Sequence, residues 1–398
     1  MNTNFIKDSK ECEILINTTH ICNLKCRYCF VDDGLRNFEG NSPMLKMDKE
    51  TQNAFLSFIE SYCKSFGQVT LHFYGGEPFL HFDAMKYIAE KAKASNALAA
   101  KIHFAVTTNG TLIDKKTAEF LDSLRFSVLV SCDGPPETHD KMRLTKTGEP
   151  TSQKVLKTIH TLKSYKGIKL GLSAVIHREN RLATTYRFLK SFSPDFIKAE
   201  YIRMRSGHPM DLDEEDKRKY FEDLKFIANE VISQLLKGKP PTDYRFNSRV
   251  LQMWRGGIKR KEFCGAGSSV LGIAANGDIF PCTLLIGEKD CYLGNVRTGI
   301  SPNAVREFKN WHSFTGKKPC KECWARYYCG GGCAAMWKTK GRGFCEYIKN
   351  EIDLSFYIYN SVTEVNPEAF ALMVSKEFYE KLTTIINNFP VPTHEETI

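Results

Sequence analysis

Long hydrophobic runs are absent from this chain of 398 residues. No stretch approaches the ~20 consecutive apolar residues that a membrane-spanning helix needs. The first eight residues, Met1 to Asp8, also lack the apolar core of a secretory signal. We therefore expect a cytoplasmic protein with no membrane partner. Internal repeats are absent as well, and a hydrophobic content of 42% is enough for folded cores in two or three domains.

A massed block of positive charge is also missing, although the net charge is +10. Lysines and arginines are interspersed with acidic residues along the chain, which indicates a solvated basic surface. We expect no nucleic-acid partner. The same surface would suit an acidic peptide or an electron donor of the flavodoxin type.

Cysteine is abundant, with fourteen residues. Cys22, Cys26 and Cys29 share one eight-residue loop. Thiolates spaced in this way can each hold one iron of a 4Fe-4S cube and leave the fourth iron open for another ligand. The alternatives are zinc, which usually takes four protein ligands in structural sites, and scattered structural thiols.

The Cx3CxxC spacing, with an aromatic residue beside the last cysteine, resembles the radical S-adenosylmethionine (radical SAM) enzymes. The resemblance implies that SAM chelates the open iron and is cleaved to a 5′-deoxyadenosyl radical, which abstracts hydrogen from a substrate. It also implies that Tyr28 and Phe30 flank the adenine, while packing is the alternative role for either ring.

Short β-branched runs alternate with helical patterns from about residue 12 to 205. Strands are predicted at 13–17, 69–74, 102–107, 126–131, 169–176 and 198–203. Helices are predicted at 48–66, 82–95, 113–124, 151–165 and 181–191, the first two with Asp48 and Asp83 near their N-termini. Repeated β-α units require parallel strands with right-handed crossovers. We predict an α/β fold, and six units agree with the partial (β/α)6 TIM-like barrel of the radical SAM fold.

Motifs follow the predicted strands at the edge where barrel-like folds bind ligands. The run Tyr74-Gly75-Gly76-Glu77-Pro78 resembles the GGEP motif of the family. In that motif the backbone and the glutamate hold the methionine amino group of SAM. The resemblance carries this role to Gly75, Gly76 and Glu77.

Polar residues end the next two strands, Thr108 and Asn109 at the third and Ser131 at the fourth. The family uses these places for ribose and carboxylate contacts, whereas ordinary turn chemistry is the alternative. Arg143 lies in a segment that resembles the family pattern DGP…HD…R. We expect it to pair with the SAM carboxylate, because a guanidinium fork suits a carboxylate.

Seven later cysteines form a second pattern that matches the SPASM extension of radical SAM enzymes, which carries two auxiliary 4Fe-4S clusters. A hairpin predicted around Asn276-Gly277 turns Cys282 back towards Cys264. The resemblance implies one set of ligands at Cys264, Cys282 and Cys333 and another at Cys320, Cys323, Cys329 and Cys345. A zinc ribbon is the structural alternative for these cysteines.

The first auxiliary set has three members, because residues 258–263 contain no cysteine where fully ligated sulfatase-maturase types have one. Either the cluster has an open iron or Cys291, placed on the next predicted strand, is the fourth ligand. Packing is the other role for Cys291. We assign Cys12, Cys63 and Cys132 to packing.

Four units are expected along the chain: a radical SAM partial barrel at 1–205, a bridging helix and linker at 206–263, a small Cys-rich SPASM domain at 264–345 and a helical segment at 346–398. The third unit is rich in glycines and turns, which is typical of a domain held by metal rather than by a large core.

Radical SAM enzymes with a SPASM domain mostly modify peptides. The resemblance therefore implies SAM and three 4Fe-4S clusters as cofactors, and a ribosomally made precursor peptide that receives a carbon-carbon or thioether crosslink. It also implies a low-potential electron donor such as flavodoxin or ferredoxin. The first cluster cysteine stands at position 22, too early for an N-terminal leader-binding domain. A leader would then be bound by a separate leader-binding protein or by the bridging or C-terminal region, unless there is no leader.

Two other functions compete with crosslinking. An anaerobic sulfatase maturase would oxidise cysteine or serine to formylglycine, but such enzymes typically have aspartate directly after the cysteine that matches Cys282. Thr283 stands at this position. A zinc-containing binding module would use the basic charge, yet it does not account for the GGEP motif or for the barrel pattern.

Overall fold

Six neighbouring strands of the sheet are parallel and follow one another in chain order. The computed structural model describes residues 11–29, 45–204, 206–257 and 260–388. The strands are β1 Glu11–Thr19, β2 Gln68–Gly75, β3 Ile102–Thr108, β4 Ser127–Ser131, β5 Lys169–Ile176 and β6 Phe196–Tyr201. Each neighbouring pair is parallel. The predicted α/β fold is confirmed, with β6 beginning two residues earlier than expected.

Helices connect these strands: α1 Lys49–Tyr62, α2 Phe82–Ala94, α3 Lys115–Ser123, α4 Pro136–Met142, α5 Ser152–Lys163 and α6 Leu182–Ser191. As predicted, Asp48 caps α1, and its carboxylate accepts a hydrogen bond from the Thr51 amide over 2.7 Å. Asp83 lies in the first turn of α2. The sequence pattern does not predict α4, because seven residues are too few to show an amphipathic period.

The two faces of the sheet differ in polarity, since successive side chains of a strand point to opposite sides. Ile14, Phe73 and Val106 are fully buried in the core that the helices share. Each such side chain stabilises the fold by about 1.5–3 kcal/mol. Glu13 directly precedes Ile14, and His72 directly precedes Phe73; both polar side chains are partly exposed on the other face. The face without the core is therefore polar and partly open to solvent.

Four short strands extend the same sheet beyond β1: β7 Val270–Ile273, β8 Asp278–Phe280, β9 Gly294–Asn295 and β10 Gly299–Ile300. The β7-β8 hairpin around Asn276-Gly277 is antiparallel, as predicted. β7 pairs in parallel with β1, and Ile273 stands opposite Ile16. The Cys-rich part is therefore joined to the barrel by a shared sheet, which no local sequence pattern predicts.

The remaining helices are α7 Glu214–Leu236, α8 Asn247–Trp254, α9 Pro302–His312, α10 Lys318–Lys321, α11 Arg326–Cys329, α12 Ala334–Lys340, α13 Cys345–Thr363 and α14 Lys376–Asn388. α7 packs on α13, where the rings of Tyr220 and Tyr347 are 5.6 Å apart. In the ranges that the structure describes, every helix is too short or too polar to cross a bilayer. The boundaries of the four expected units stay a prediction.

Candidate functional site

The loop with Cys22, Cys26 and Cys29 begins where β1 ends and is tied to the segment after α4. The Lys25 amide donates to the Leu144 carbonyl over 2.9 Å, and the Arg27 amide donates to the Met142 carbonyl over 3.0 Å. Within the loop, the Cys29 amide donates to the Cys26 carbonyl over 3.0 Å. The loop backbone is therefore fixed at the carboxyl edge of the parallel sheet.

The three thiols of this loop lie close together. Burial raises the pKa of Cys26 to about 12; Arg143 lowers it, and the charges of Cys29 and Cys22 raise it. Thiolates that repel one another suit an iron-sulfur cube, which offsets their charge and lets each bind a different iron. Among the described residues, no group of three or more His, Cys, Asp or Glu side chains is placed to hold a metal ion. The chemistry of the three thiols, which are soft donors on one short loop, is that of 4Fe-4S ligands.

Glu77 is fully buried and joins the ends of β2 and β3. Its Oε1 accepts a hydrogen bond from the Thr108 hydroxyl over 2.8 Å and one from the Phe79 amide over 3.3 Å. Its Oε2 accepts from the Asn109 amide over 2.8 Å. Burial raises the pKa of Glu77 to about 7, although the Asn109, Thr108 and Phe79 hydrogen bonds lower it. The structure thus brings three predicted site residues into one hydrogen-bonded group.

Asn109 extends this group to the cluster loop. Its side-chain amide donates to Asn23 Oδ1 over 2.9 Å and lies 3.8 Å from Cys22 Sγ. Asn23 in turn donates to the Thr111 hydroxyl over 2.9 Å. The Asn109 side chain therefore positions the first cysteine of the loop relative to β3.

Gly75 and Gly76 pack against the base of the same loop. A Cβ atom at Gly76 would lie 2.1 Å from the Ile21 carbonyl oxygen, which no side chain allows. Gly75 has a φ of +124°, and a Cβ atom there would lie 2.5 Å from the Thr19 carbonyl oxygen. Both glycines are thus required by the chain's own loop. Their predicted contact with the methionine amino group stays a prediction.

A buried group around Asp133 holds the other side of the loop. Arg143 Nε donates to Asp133 Oδ2 over 3.0 Å, and the Tyr28 hydroxyl donates to the same oxygen. The amide of Val175 donates to Asp133 Oδ1 over 3.0 Å. Burial raises the pKa of Asp133, but the charges of Arg143 and His139 bring it below its usual range. The carboxylate is therefore held ionised inside the protein.

This group places two predicted SAM contacts in protein packing. The Arg143 guanidinium, expected to pair with the SAM carboxylate, has Asp133 as a partner and lies 5.4 Å from the centre of the Tyr28 ring. Tyr28 is itself buried, 5.8 Å from the ring of His177. The roles of Arg143 and Tyr28 towards SAM stay predictions. Sequence reasoning assigned no role to Asp133, although its place in the DGP motif was the available signal.

Ser131 and Phe30 are the two remaining predicted contacts of the cofactor. Ser131 is buried at the end of β4, with its hydroxyl 3.5 Å from that of Ser173. It stands at the same edge of the sheet as Thr108 and Asn109, since β3 and β4 are parallel neighbours. Phe30 lies outside the described residues.

The later cysteines lie in two groups. Burial raises the pKa of Cys282, and the charges of Cys333 and Cys264 raise it further. These three residues are the first expected auxiliary set. Burial also raises the pKa of Cys345, and so do the charges of Cys320 and Cys323.

Cys329 completes the second group. Burial raises its pKa to about 11; Arg249 and a backbone hydrogen bond lower it, and the charges of Cys345 and Cys320 raise it. The four thiols of the second expected set are therefore neighbours. Both sets consist of soft sulfur donors that suit iron-sulfur clusters.

Cys291 is the residue predicted as a possible fourth ligand of the first auxiliary set. It is 2% exposed and ends a 3-10 turn at Lys289–Cys291. The predicted strand at this residue is wrong, because β9 begins at Gly294. Burial raises the pKa of Cys291 to about 12, and the charges that act on it are those of Lys338, Asp290 and Glu288. Its role as a fourth ligand stays a prediction to which this geometry adds no support.

Three consecutive glycines connect the two groups of cysteines, and sequence reasoning gave them no role. Gly330, Gly331 and Gly332 have φ values of 70°, 92° and 79°, a conformation that other residues rarely adopt. Cβ atoms at these positions would lie 2.2 Å from the Glu262 carbonyl oxygen, 2.8 Å from the Phe314 amide nitrogen and 2.5 Å from the Phe344 ring. In the sequence, the three-glycine run between Cys329 and Cys333 was the feature that could have predicted this tight connection.

Thr283 connects the Cys-rich part to the barrel. Its hydroxyl donates to Asn17 Oδ1 over 3.2 Å, and both side chains are buried. Asn17 belongs to β1, five residues before Cys22. The residue after Cys282 therefore stands beside the strand that leads into the first cluster loop.

Polar residues line the open face of the sheet. The imidazole of His72 lies 2.9 Å from Glu13 Oε1 and 2.8 Å from the Thr107 hydroxyl. Glu200 forms an ion pair with Arg203. Burial raises the pKa of Glu200, but the charges of Arg203, Lys198 and Arg245 lower it to about 2. This face can therefore bind polar groups.

Comparison with known proteins agrees with this geometry. Residues 16–189 match the model of the Radical SAM superfamily. A cysteine-type anaerobic sulfatase-maturating enzyme of Clostridium perfringens strain 13 is 26% identical over 371 residues, which are 89% of this chain and 95% of the relative. The antilisterial bacteriocin subtilosin biosynthesis protein AlbA of Bacillus subtilis strain 168 is 26% identical over 362 residues, which are 84% of this chain and 70% of the relative.

Among solved structures, native anSMEcpe with bound AdoMet and Kp18Cys peptide has the same fold. The TM-score is 0.72 at 23% identity, over 89% of this chain and 99% of that chain. The fold of this chain, the family match and the cysteine loop at the carboxyl edge of the sheet all support one assignment. Residues 16–189 are a radical SAM domain, and the chain is a radical SAM enzyme.

Proposed function

We propose that this enzyme modifies a ribosomally made precursor peptide by abstracting a side-chain hydrogen and forming an intramolecular carbon-carbon or thioether crosslink. Cys22, Cys26 and Cys29 would hold the SAM-binding 4Fe-4S cluster. When bound, that cluster supplies the electron that cleaves SAM to a 5′-deoxyadenosyl radical. The observation that carries the proposal is the hydrogen-bonded connection from Glu77 through Asn109 to Cys22, which joins the predicted SAM site to the cluster loop.

Glu77 would bind the amino group of SAM. Its carboxylate is held in place by Thr108 and Asn109, so little further ordering is needed on binding. A cation beside a buried carboxylate favours the ionised form, which would offset the effect of burial on its pKa. Ser131 and Arg143 stand at or near the same edge and are proposed to contact the ribose and the carboxylate.

Two auxiliary clusters complete the proposed cofactor set of three 4Fe-4S clusters. The neighbouring thiols of each group support this assignment. The first cluster would be left with an open iron, which a substrate thiolate could occupy. The proposed ligands are Cys264, Cys282 and Cys333 for the first auxiliary cluster and Cys320, Cys323, Cys329 and Cys345 for the second.

Thr283 favours crosslinking over formylglycine formation. In the sulfatase-maturase pattern an aspartate at this place would take up a proton, and a threonine hydroxyl is far too weak a base for that role. Here the hydroxyl is also engaged by Asn17. On the open face, the contact with Glu13 would orient the ring of His72.

Formylglycine formation is the second candidate, and one observation favours it. The sulfatase-maturating relative of Clostridium perfringens aligns over 95% of its own length, more than the 70% of AlbA. The oxidised residue would then be a cysteine or serine of a sulfatase.

A peptide partner is supported by the relatives as well as by the polar open face. AlbA takes part in the biosynthesis of a bacteriocin, and anSMEcpe has been solved with a peptide bound. We propose a low-potential flavodoxin or ferredoxin as the electron donor, for which a basic surface is suited. A leader would be bound by a separate protein or by the region around α7 and α13.

Mass spectrometry of a candidate peptide tests the proposal. The reduced enzyme is incubated with SAM and with short peptides encoded beside its gene, and Cys22→Ala is the inactive control. A crosslink removes two hydrogens and joins two residues in the fragment spectrum. Oxidation of serine to an aldehyde also removes two hydrogens, so the product is treated with an aminooxy reagent that labels aldehydes. A labelled product would contradict crosslinking and support formylglycine formation.

Metal analysis tests the cofactor set separately. Three 4Fe-4S clusters require about twelve irons and twelve sulfides per chain. Stoichiometric zinc without sulfide would contradict the enzyme assignment of the Cys-rich part and favour a zinc module there.

A further inference from the structure

Lys317 is a buried cation at the start of the second group of cysteines. It is 6% exposed, although lysine is almost never buried unless it is paired. Its ammonium donates a hydrogen bond to the carbonyl of His312. Among the ion pairs of the described residues, none includes Lys317. The positive charge is therefore kept inside the Cys-rich part without a carboxylate beside it.

The Lys317 ammonium lies beside the connection between the two groups. The His312 carbonyl that it binds faces Gly331, where a Cβ atom would lie 3.0 Å from the carbonyl oxygen. Trp337 donates to the Gly331 carbonyl over 2.6 Å, and its ring centre is 5.5 Å from the ammonium. Trp311 covers the ammonium at 5.1 Å. Gly331 is the middle residue between Cys329 and Cys333, so the charge stands where the two groups meet.

The backbone and the electrostatics place the same charge near both groups. The Cys320 amide donates to the Lys317 carbonyl over 2.9 Å. Burial lowers the pKa of Lys317 to about 8, whereas the thiols of Cys320, Cys329 and Cys333 raise it. Cys320 and Cys329 belong to the second group and Cys333 belongs to the first. One ammonium therefore acts on the ligands of both proposed clusters.

We propose that the positive charge of Lys317 raises the reduction potentials of both auxiliary clusters. This rests on the proposed function, because it requires the two auxiliary clusters. A 4Fe-4S cluster gains one negative charge when it takes up one electron. A fixed positive charge in a poorly polarisable interior favours that reduced state, because little solvent screens the attraction. A charge shared by both clusters shifts their potentials in the same direction, so the driving force for electron transfer between them changes little.

A purely structural role is the alternative. The ammonium caps the His312 carbonyl and packs between two tryptophan rings, and both contacts would stabilise the local fold whatever the clusters do. Reduction potentials separate the two roles, because a packing contact has no reason to change them in one direction at both clusters.

The test uses the full-length protein with Cys22, Cys26 and Cys29 replaced by alanine, so that only the auxiliary clusters remain. In this background Lys317→Gln removes the charge and Lys317→Arg keeps it. Lys318→Gln is the matched control, because it makes the same change at the adjacent, exposed lysine. Iron and sulfide are measured first, and the clusters are then followed by electron paramagnetic resonance during a redox titration.

We expect K317Q to lower the potentials of both clusters. At a fixed potential, the ratio of oxidised to reduced cluster should rise at least tenfold, which corresponds to about 59 mV for one electron. K317R and K318Q should stay near the parent. Unchanged potentials in K317Q with full iron content would overturn the inference.

Loss of the clusters is informative as well. If K317Q loses them, the titration is repeated with Lys317→Met, which also removes the charge but keeps a long side chain between the two tryptophan rings, and both potentials should again fall. Loss of the clusters in all three Lys317 variants assigns the residue to packing and overturns the inference. Absence of auxiliary iron from the parent overturns the proposed cluster set together with the inference, whereas unchanged potentials overturn the inference alone.

Discussion

Arg143 Nε donates to Asp133 Oδ2 over 3.0 Å, and both side chains are buried. The pair connects the end of β4 with the segment after α4, and the Tyr28 hydroxyl joins it from the first cluster loop. A buried pair of this kind is costly to break, because the remaining charge has neither water nor a partner. The position of the cluster loop therefore depends on one carboxylate outside it.

Asp133→Asn should destabilise the protein by about 3–5 kcal/mol, because it leaves Arg143 buried without its counter-charge. Urea unfolding of the cluster-free protein measures the loss. Glu119→Gln is the control, since Glu119 is an exposed partner of Lys115 at 3.9 Å and should contribute at most about 0.5 kcal/mol. A loss in the aspartate variant no larger than that of the control would contradict the role given to Asp133.

Glu77 should make stability depend on pH. Burial raises its pKa to about 7 from 4.5, so the folded state binds the proton more tightly than the unfolded state between these values. The free energy of unfolding should therefore fall as pH rises from about 4.5 to 7, by roughly 3 kcal/mol in total. Glu77→Gln removes this dependence.

The measurement is the difference in unfolding free energy between the parent and Glu77→Gln at several pH values. His139 and His312 have pKa values lowered to about 4 by burial, and their effect has the opposite sign, since stability is lost as pH falls below about 6.5. Both proteins share these histidines, so the difference isolates Glu77. A difference that is constant with pH would contradict the shifted pKa.

Gly76→Ala should prevent the first cluster from assembling. The new Cβ atom would lie 2.1 Å from the Ile21 carbonyl oxygen, so the cluster loop that begins at Cys22 would have to move. Gly148→Ala is the comparison: Gly148 has a φ of +85° but open space around it, so only backbone strain of about 1–2 kcal/mol is expected. The measurement is the iron content of both variants after reconstitution. Equal iron in the two variants would contradict the prediction.

Cys291→Ser should leave the iron content unchanged, because the charges that act on Cys291 are those of Lys338, Asp290 and Glu288. Cys282→Ser should lose iron, since Cys282 lies beside two other thiols. Iron and sulfide analysis of the two serine variants compares them directly. Loss of iron from the Cys291 variant would make it the fourth ligand of the first auxiliary cluster.

Much of the site is visible in local sequence. The spacing of Cys22, Cys26 and Cys29, the Gly75-Gly76-Glu77 run and the hairpin turn at Asn276-Gly277 are each contained in a few consecutive residues, so their chemistry does not depend on distant contacts. Alternating strands and helices likewise predict parallel strands, because each β-α unit has one favourable handedness. The strand predicted at Cys291 is wrong, because the residues around it are of mixed polarity and do not distinguish a strand from a turn.

The kind of chemistry follows from local sequence, since cysteine spacing within one loop sets which metal group the thiols can hold. The identity of the distant residues that serve this chemistry follows from the folded molecule. The tertiary structure pairs β7 with β1, places Asp133 under the first loop and puts the charge of Lys317 between two groups of cysteines. These relationships depend on packing across many residues, and a buried charge is recognised only when the groups around it are known.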